Sequence, residues 1–231
     1  KVQSNGLMFT PKNVARLTEA GANLLHVSIH ASDRDLYHQT VRREGTYELM
    51  CAGLEAAVQS GAEVVVDTIV REHTFETLVE TIDWIHARGA RQVDLWFVSL
   101  TDANRFNVTS MPAMTQAVPY MRKAFARGRE LGMRIRSLHV PRCLLQEDAG
   151  HAFDPGADRV MVVTPDSIFE LKDSLLAGRM QVPACSGCQH ELICPGVRPD
   201  YIERYGDGEF AAARGQEPTM PGAARLPVLT S

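Results

Sequence analysis

The chain alternates between amphipathic segments and short apolar runs, with a glycine at each junction. The unit occurs as LTEAG-ANLLHVSI, AAVQSG-AEVVVDTIV, IHARG-ARQVDLWFV and GRELG-MRIRSLHV. Its glycines, Gly21, Gly61, Gly89 and Gly132, lie where a helix end favours a left-handed residue. Each following run is rich in Val, Ile or Leu and is short enough to be a buried strand. Helix and strand in alternation predict parallel strands with helical crossovers.

The segments before the glycines have the 3.6-residue period of helices that cover a core on one side. Their apolar stripes are Met50, Leu54 and Ala57 in one segment and Leu78, Ile82 and Ile85 in another. Residues 113–131 are predicted to be helical, and residues 101–112 to be a long polar loop. A β/α barrel and an open doubly wound sheet both fit this order, and in both the functional groups gather where the strands end.

Composition and charge exclude several classes of protein. The chain has 231 residues, is 45% hydrophobic and 23% charged, and carries a net charge of −4, which is ordinary for a globular domain. This charge gives no reason to expect nucleic-acid binding, and no apolar run is long enough for a membrane span. Without a visible signal peptide we expect a cytoplasmic protein, in which clustered cysteines more often bind metal than form disulfides.

The alternation ends near Val140 and predicts three parts. Residues 1–140 form the strand-and-helix domain, residues 141–214 a cysteine-rich C-terminal cap (below, the tail), and residues 215–231 a disordered end. The first residues, KVQSNG, are typical of a strand that enters an Asn-Gly turn. We therefore expect the native polypeptide to extend upstream by roughly a hundred residues, on the ~250-residue scale of a full barrel.

The strongest chemical signal is the tail segment CSGCQHELIC. Cys185 and Cys188 form a C-x2-C pair, Cys194 follows, and Cys143 is the best candidate for a fourth ligand. Four thiolates suit a structural zinc ion as well as an iron–sulfur cluster, so both metals stay open at this point. Cys51 adjoins the apolar stripe of a predicted helix, and we expect it to pack rather than bind metal.

Polar residues also occur at predicted strand ends. In VSIHASDRDLYHQTV, His30, Asp33 and His38 could form a hydrolytic metal site, although an acid before a helix is also an ordinary cap. Asp67 lies within the apolar run VVVDTIV. A buried carboxylate needs a partner, so Asp67 is either a satisfied structural group or part of a site.

The order SNG, VSIHAS and EGTYELMCAGLEAAVQSGAEVVVDTIV resembles the radical S-adenosylmethionine superfamily, whose members show a TNG turn, a serine at a strand end and a Gly-[SFT]-[FY] helix start. The likeness continues through TLVETIDWIHARGARQVDLWFV. In the tail, VPRCLL and C-x2-C-x5-C resemble SPASM-like members with an auxiliary cluster. The resemblance covers about residues 3–209.

The resemblance implies a partial (β/α)6 TIM-like barrel that lacks its first strands. It implies an enzyme in which a 4Fe-4S cluster on a CxxxCxxC loop reduces S-adenosylmethionine, and a 5′-deoxyadenosyl radical then abstracts hydrogen from a substrate. The family's cofactor contacts correspond to Asn5, Gly6, Ser28, Thr68 and Arg71. Cys143, Cys185, Cys188 and Cys194 would hold the auxiliary 4Fe-4S cluster. An electron donor such as flavodoxin or ferredoxin is implied, with a peptide or a small molecule as substrate.

The chain departs from the family pattern in that CxxxCxxC and the glycine- and acid-rich strand end are absent. Both belong upstream of the TNG turn, so the expected upstream segment accounts for both. Two other functions remain open. One is a non-catalytic scaffold or binding protein with a zinc- or cluster-stabilised tail, and the other is the metal-dependent hydrolase.

Overall fold

A computed structural model describes residues 1–153, 160–173, 179–194 and 196–211, without the side chains of residues 102 and 103. The predicted end at 215–231 lies outside the described residues. The main sheet has five parallel strands in sequential order. They are β1 (Val2–Ser4), β2 (Leu24–Ser28), β3 (Glu63–Val70), β4 (Gln92–Phe97) and β5 (Arg134–Leu138).

The sequential order decides between the two architectures. A doubly wound sheet reverses its strand order at a switch point. Here every crossover joins adjacent strands, and crossovers of one hand place all their helices on the same face. The sheet is therefore consistent with a partial TIM-like barrel, with helices outside and the opposite face turned towards a lumen.

The helices follow the predicted alternation. They are α1 (Pro11–Glu19), α2 (Arg34–Val41), α3 (Tyr47–Gln59), α4 (Leu78–Ala87), α5 (Met114–Glu130), α6 (Arg142–Leu145) and α7 (Pro199–Tyr205). The four junction glycines have positive φ angles of 96°, 79°, 89° and 65° in chain order, which confirms the predicted helix ends. The predicted loop at 101–112 instead contains two short 3-10 turns, at 102–106 and 108–110.

The hydrophobic core lies between the sheet and its helices. All six stripe residues of α3 and α4 are almost fully buried, as predicted. Val27, Val66 and Leu95 meet them from the sheet with no measurable exposure. Because side chains alternate along a strand, the residues between these positions face the lumen.

One close backbone contact fixes the first turn of the chain against α3. Gly6 has a φ angle of 78°, and a Cβ atom on Gly53 would collide with the Gly6 carbonyl. Both positions therefore need glycine, one for its backbone angle and the other for the approach of the two backbones.

Beyond β5 the tail stays attached to the barrel. Ala152 forms a parallel bridge with Ser137 of β5, and Asp148 pairs with Arg122 and Arg129 of α5. In α7, the Tyr201 hydroxyl accepts a hydrogen bond of 2.7 Å from the Met114 amide.

A short antiparallel hairpin in the tail, β6 (Met161–Val163) and β7 (Ile168–Glu170), was not predicted. No helix among the described residues is long and apolar enough to span a bilayer.

Candidate functional site

The lumen face of the sheet carries a hydrogen-bonded network around Asp67, which is 1% exposed. One carboxylate oxygen accepts a bond of 2.9 Å from Gln3 Nε2. The other lies 3.0 Å from His26 Nδ1 and accepts a bond of 3.1 Å from Trp96 Nε1. Three strands thus supply partners for a carboxylate on a fourth, so Asp67 is a satisfied buried charge.

A second buried carboxylate, Asp94, lies beside the first. Arg136 binds it through two bonds of 2.6 Å and stacks at 3.9 Å over the Phe153 ring. Among the described residues, His26, Asp67 and Asp94 are the one group of three whose ligand atoms lie within 4.8 Å of one another. The carboxylate oxygens and His26 Nδ1 already have protein partners, so we interpret the network as a structural link between the strands rather than a metal site.

The predicted cofactor residues lie at the C-terminal edge of this sheet. Asn5 is exposed after β1, and its side-chain oxygen accepts a bond of 3.2 Å from the Leu7 amide. Gly6 is buried against α3. Ser28 ends β2, half-buried, directly opposite Asp67 in the register.

The two residues predicted at the end of β3 take opposite faces. Thr68 is buried and alternates with Asp67, so it faces the helices. Arg71, just beyond β3, is half-buried, and burial followed by the charge of Arg42 lowers the pKa of its guanidinium. Its Nε is buried without a hydrogen-bond partner among the described residues, which leaves a cation free to meet an anion.

His30 lies close to Arg71 at the same edge. Burial, and then the positive charge of Arg71, lowers the pKa of His30 to about 4, against a smaller opposing effect of Asp67. The imidazole is therefore neutral near pH 7. Its Nδ1 also has no hydrogen-bond partner in the described part of the chain.

The residues considered for a hydrolytic site do not converge. Asp33 caps α2 by accepting a bond of 2.8 Å from the Leu36 amide. His38 lies within α2, with its ring against Tyr37 and Tyr47. Within the described ranges these two residues and His30 do not form a group with the spacing of metal ligands.

The four tail cysteines line one pocket. Cys143 is in α6, whereas Cys185, Cys188 and Cys194 are in the CSGCQHELIC loop. Burial and the three neighbouring thiols raise the pKa of Cys143 to about 11. Cys51 is in α3, half-buried and outside this pocket. No three of the four tail sulfurs lie within 4.8 Å of one another.

His190 is a pocket residue that sequence reasoning did not select. It is 3% exposed, and its Nδ1 is buried without a partner among the described residues. Burial and then the charge of Arg142 lower its pKa. Its position inside the cysteine motif was the available signal, since a histidine between two candidate ligands must pack close to them.

The lumen network was missed except for Asp67. The signal for it was the alternation of single polar residues with apolar ones in LLHVS, VVVDTIV and VDLWF. Each polar residue seemed isolated in the sequence, and only the strand register brings them together.

Residues 1–85 match the family model described as the Radical SAM superfamily. No curated protein gives a significant match to the chain.

Proposed function

We propose that the protein is a radical SAM enzyme with an auxiliary 4Fe-4S cluster in its tail, since residues 1–85 match the family model of the Radical SAM superfamily. The family match is the observation that carries this proposal. When bound, S-adenosylmethionine and its reducing cluster supply a 5′-deoxyadenosyl radical that abstracts hydrogen from the substrate. A flavodoxin or ferredoxin would supply the electron to that cluster.

The edge of the sheet offers groups suited to the cofactor. The Arg71 guanidinium has no ion-pair partner in the described part of the chain, and a guanidinium is well matched to a carboxylate such as that of the methionyl group. Ser28 adds a hydroxyl from the neighbouring strand. Asn5 is exposed in the neighbouring turn, whereas Gly6 is buried against α3. Thr68 remains a weaker candidate because it faces the helices.

The spread of the tail sulfurs agrees with the proposed iron–sulfur cluster. A tetrahedral zinc ion with Zn–S bonds of about 2.3 Å would hold its sulfurs about 3.8 Å apart. The tail sulfurs are more widely spread, as none of their groups of three falls within 4.8 Å. A cubane cluster separates its four thiolates further than a single ion does, because each thiolate binds a different iron.

The protonation of the pocket also agrees with a metal site. Burial raises the pKa of Cys143, so this thiol stays protonated unless a cation takes the place of the proton. Metal ligands must be deprotonated, and binding therefore releases protons. Arg142 places a positive charge near His190, which lines the same pocket.

Anaerobic reconstitution with iron and sulfide tests the auxiliary cluster. We expect four irons per chain, a brown absorption band and a paramagnetic signal after reduction. Changing Cys143, Cys185, Cys188 or Cys194 to Ala should lower cluster occupancy, and Cys51→Ala is the matched control that should leave it intact. One stoichiometric zinc that is lost on changing the same four residues would overturn the iron assignment.

The cofactor site is tested in the complete polypeptide. Ser28→Ala and Arg71→Gln should weaken binding of S-adenosylmethionine, measured by calorimetry, without changing the circular dichroism spectrum. The exposed Arg134, on the far strand β5, provides Arg134→Gln as a control. Unchanged affinity in both site variants would contradict the assignment of the cofactor edge.

A further inference from the structure

A second pocket lies between the end of β5 and the cysteine loop. It is separate from the proposed cofactor and cluster sites. We call it the anion pocket. Its lining includes His139, Arg142, Arg179 and Gly196. Phe153 and Ile193 provide an apolar wall. Gly196 lines the cysteine pocket as well. The anion pocket therefore adjoins the candidate cluster site on one side and the carboxyl ends of the barrel strands on the other.

His139 is held in an unusual conformation that aims its ring into this pocket. Its φ angle of 76° is in the left-handed region, which is costly for a residue other than glycine. Strain of this kind persists where the surrounding structure requires it. The ring packs edge-on against Trp96 at 5.3 Å, and the side chain is 7% exposed.

The hydrogen bonds of His139 define what its free nitrogen can do. Nδ1 lies 3.0 Å from the Phe97 carbonyl oxygen, which can only accept, so Nδ1 carries the proton. Burial and the charges of Arg179 and Arg198 lower the pKa of the imidazole, which is therefore neutral. Nε2 then presents a lone pair, and it is buried without a partner among the described residues.

Arg142 supplies positive charge to the same pocket. Its two terminal nitrogens donate to the carbonyls of Ala149 and Ala152, at 2.8 and 3.3 Å. These bonds fix the guanidinium but do not neutralise it, and its Nε is buried without a partner in the described part of the chain. Arg179 is also part of the lining, and none of the described lining residues is acidic.

We propose that the anion pocket binds an anionic group with a neighbouring N–H or O–H donor, on the molecule that the enzyme acts on. The Arg142 guanidinium meets the anion, and the Nε2 lone pair of His139 accepts from the donor beside it. An N-acylated amino acid or a peptide C-terminus has this pairing, and so has a phosphate monoanion. Only the identification of the ligand as substrate rests on the proposed function. The pocket's chemistry does not.

The test measures binding to the reconstituted chain by titration calorimetry with matched probes. N-acetylglycine carries both groups, N-acetylsarcosine lacks the N–H, and N-acetylglycinamide lacks the carboxylate. Loss of the carboxylate should weaken binding about tenfold or more, because a hydrogen bond to a charged group contributes about 1.5–3 kcal/mol. Loss of the N–H should weaken it several-fold. Inorganic phosphate is the separate arm that reveals a phosphate ligand if it binds more tightly than N-acetylglycine.

Two variants assign the interactions to residues. In His139→Asn, the new residue tolerates the left-handed backbone but is too short to reach the donor, so the preference for N-acetylglycine over N-acetylsarcosine should disappear. Arg142→Gln should abolish the preference for the carboxylate, and Arg142→Lys should retain part of it. The exposed residues His73 and Arg134 give His73→Asn and Arg134→Gln as controls that bind like the wild type.

The proposal is overturned if the wild-type chain binds neither N-acetylglycine nor phosphate more tightly than N-acetylglycinamide. It is also overturned if folded His139→Asn keeps the wild-type preference. Failure of the radical SAM function has a different signature. In that case the complete polypeptide does not cleave S-adenosylmethionine, while these affinities and preferences persist.

Discussion

The lumen face of the barrel and the pockets of the tail both contain buried polar groups, but they differ in how those groups are satisfied. On the lumen face, Asp67 has three hydrogen-bonding side chains and Asp94 has a bidentate arginine. Around the tail pockets, His139 Nε2, Arg142 Nε and His190 Nδ1 are buried without partners among the described residues.

This difference separates structural polarity from a ligand site. Buried polar atoms in folded proteins are nearly always hydrogen-bonded, so several orphaned atoms around one cavity indicate a group that completes them. The same criterion selects His30 and Arg71 at the sheet edge. Spacing of ligand atoms alone would have pointed to His26, Asp67 and Asp94, where the protein already supplies the partners.

The largest effect is expected from a variant that breaks the lumen network. Asp94→Leu leaves Arg136 largely buried without its counter-charge, and the loss of one partner of a buried pair costs about 3–5 kcal/mol. The free energy of unfolding of the cluster-free chain, measured in urea, should fall by that amount. Cys188→Ser should leave the same quantity almost unchanged, because this thiol makes no hydrogen bond to any described residue that the change would remove.

The exposed residue Asp166 provides the control Asp166→Leu, which should change the unfolding free energy little. A cost for Cys188→Ser in cluster-free protein as large as that for Asp94→Leu would remove the distinction between the two regions.

The second prediction compares two glycines of the cysteine loop that share a left-handed backbone. Gly187 and Gly196 have φ angles of 70° and 91°. A Cβ atom on Gly187 would meet no other atom within 4 Å, whereas one on Gly196 would collide with the Met180 carbonyl. Gly187→Ala should therefore cost only the backbone strain of about 1–2 kcal/mol.

Gly196→Ala should cost about 2–5 kcal/mol, because overpacking adds about 1–3 kcal/mol to that strain. It should also lower cluster occupancy, since Gly196 lines both tail pockets. Urea unfolding and iron content measure the two effects, and equal behaviour of the two variants would contradict the close approach to Met180.

The third prediction concerns the centre of the lumen network. Asp67→Leu removes both acceptor oxygens, so the buried N–H of His26 loses its partner. An unsatisfied group of this kind costs about 1–3 kcal/mol, and we expect about 2 kcal/mol in urea unfolding. Iron content after reconstitution should stay at the wild-type level. A loss of iron would show that the network also shapes the tail pocket.

The sequence predicted the elements of the barrel well because periodicity and glycine are local signals. The stripes of α3 and α4 and the four helix ends appeared as expected. The hairpin of β6 and β7 was missed because the alternating pattern had ended before it. Sequence order alone did not decide between a barrel and a doubly wound sheet, since that difference lies in which strands are neighbours.

The sites were predictable to different degrees for the same reason. The C-x2-C-x5-C spacing is local and led directly to three residues of the cysteine pocket. His139 carried no local signal, because its role depends on a left-handed backbone and on contacts with Trp96 and Phe97 from the neighbouring strand. Thr68 was placed correctly on β3, but the face that it occupies follows from the pairing of strands.

The smallest predicted effect is a pH dependence at the sheet edge, where His30 belongs to the class of unpartnered groups. Its pKa is lowered from 6.5 to about 4 in the folded chain. The unfolded chain therefore binds a proton before the folded chain does, and stability falls as the pH drops from about 6.5 towards 4. His30→Asn removes this contribution. Relative to wild type, the variant should thus gain of the order of 1 kcal/mol between pH 7 and pH 4.5, a value reduced from the full linkage because the ring is half-buried.

Urea unfolding at both pH values measures the change, with the exposed-site variant His73→Asn expected to follow the wild-type curve. Because His139 is present in every chain compared, its own titration cancels. A His30→Asn curve parallel to wild type would mean that the Arg71 edge does not hold His30 neutral, and would remove this edge from the contrast with the satisfied lumen network.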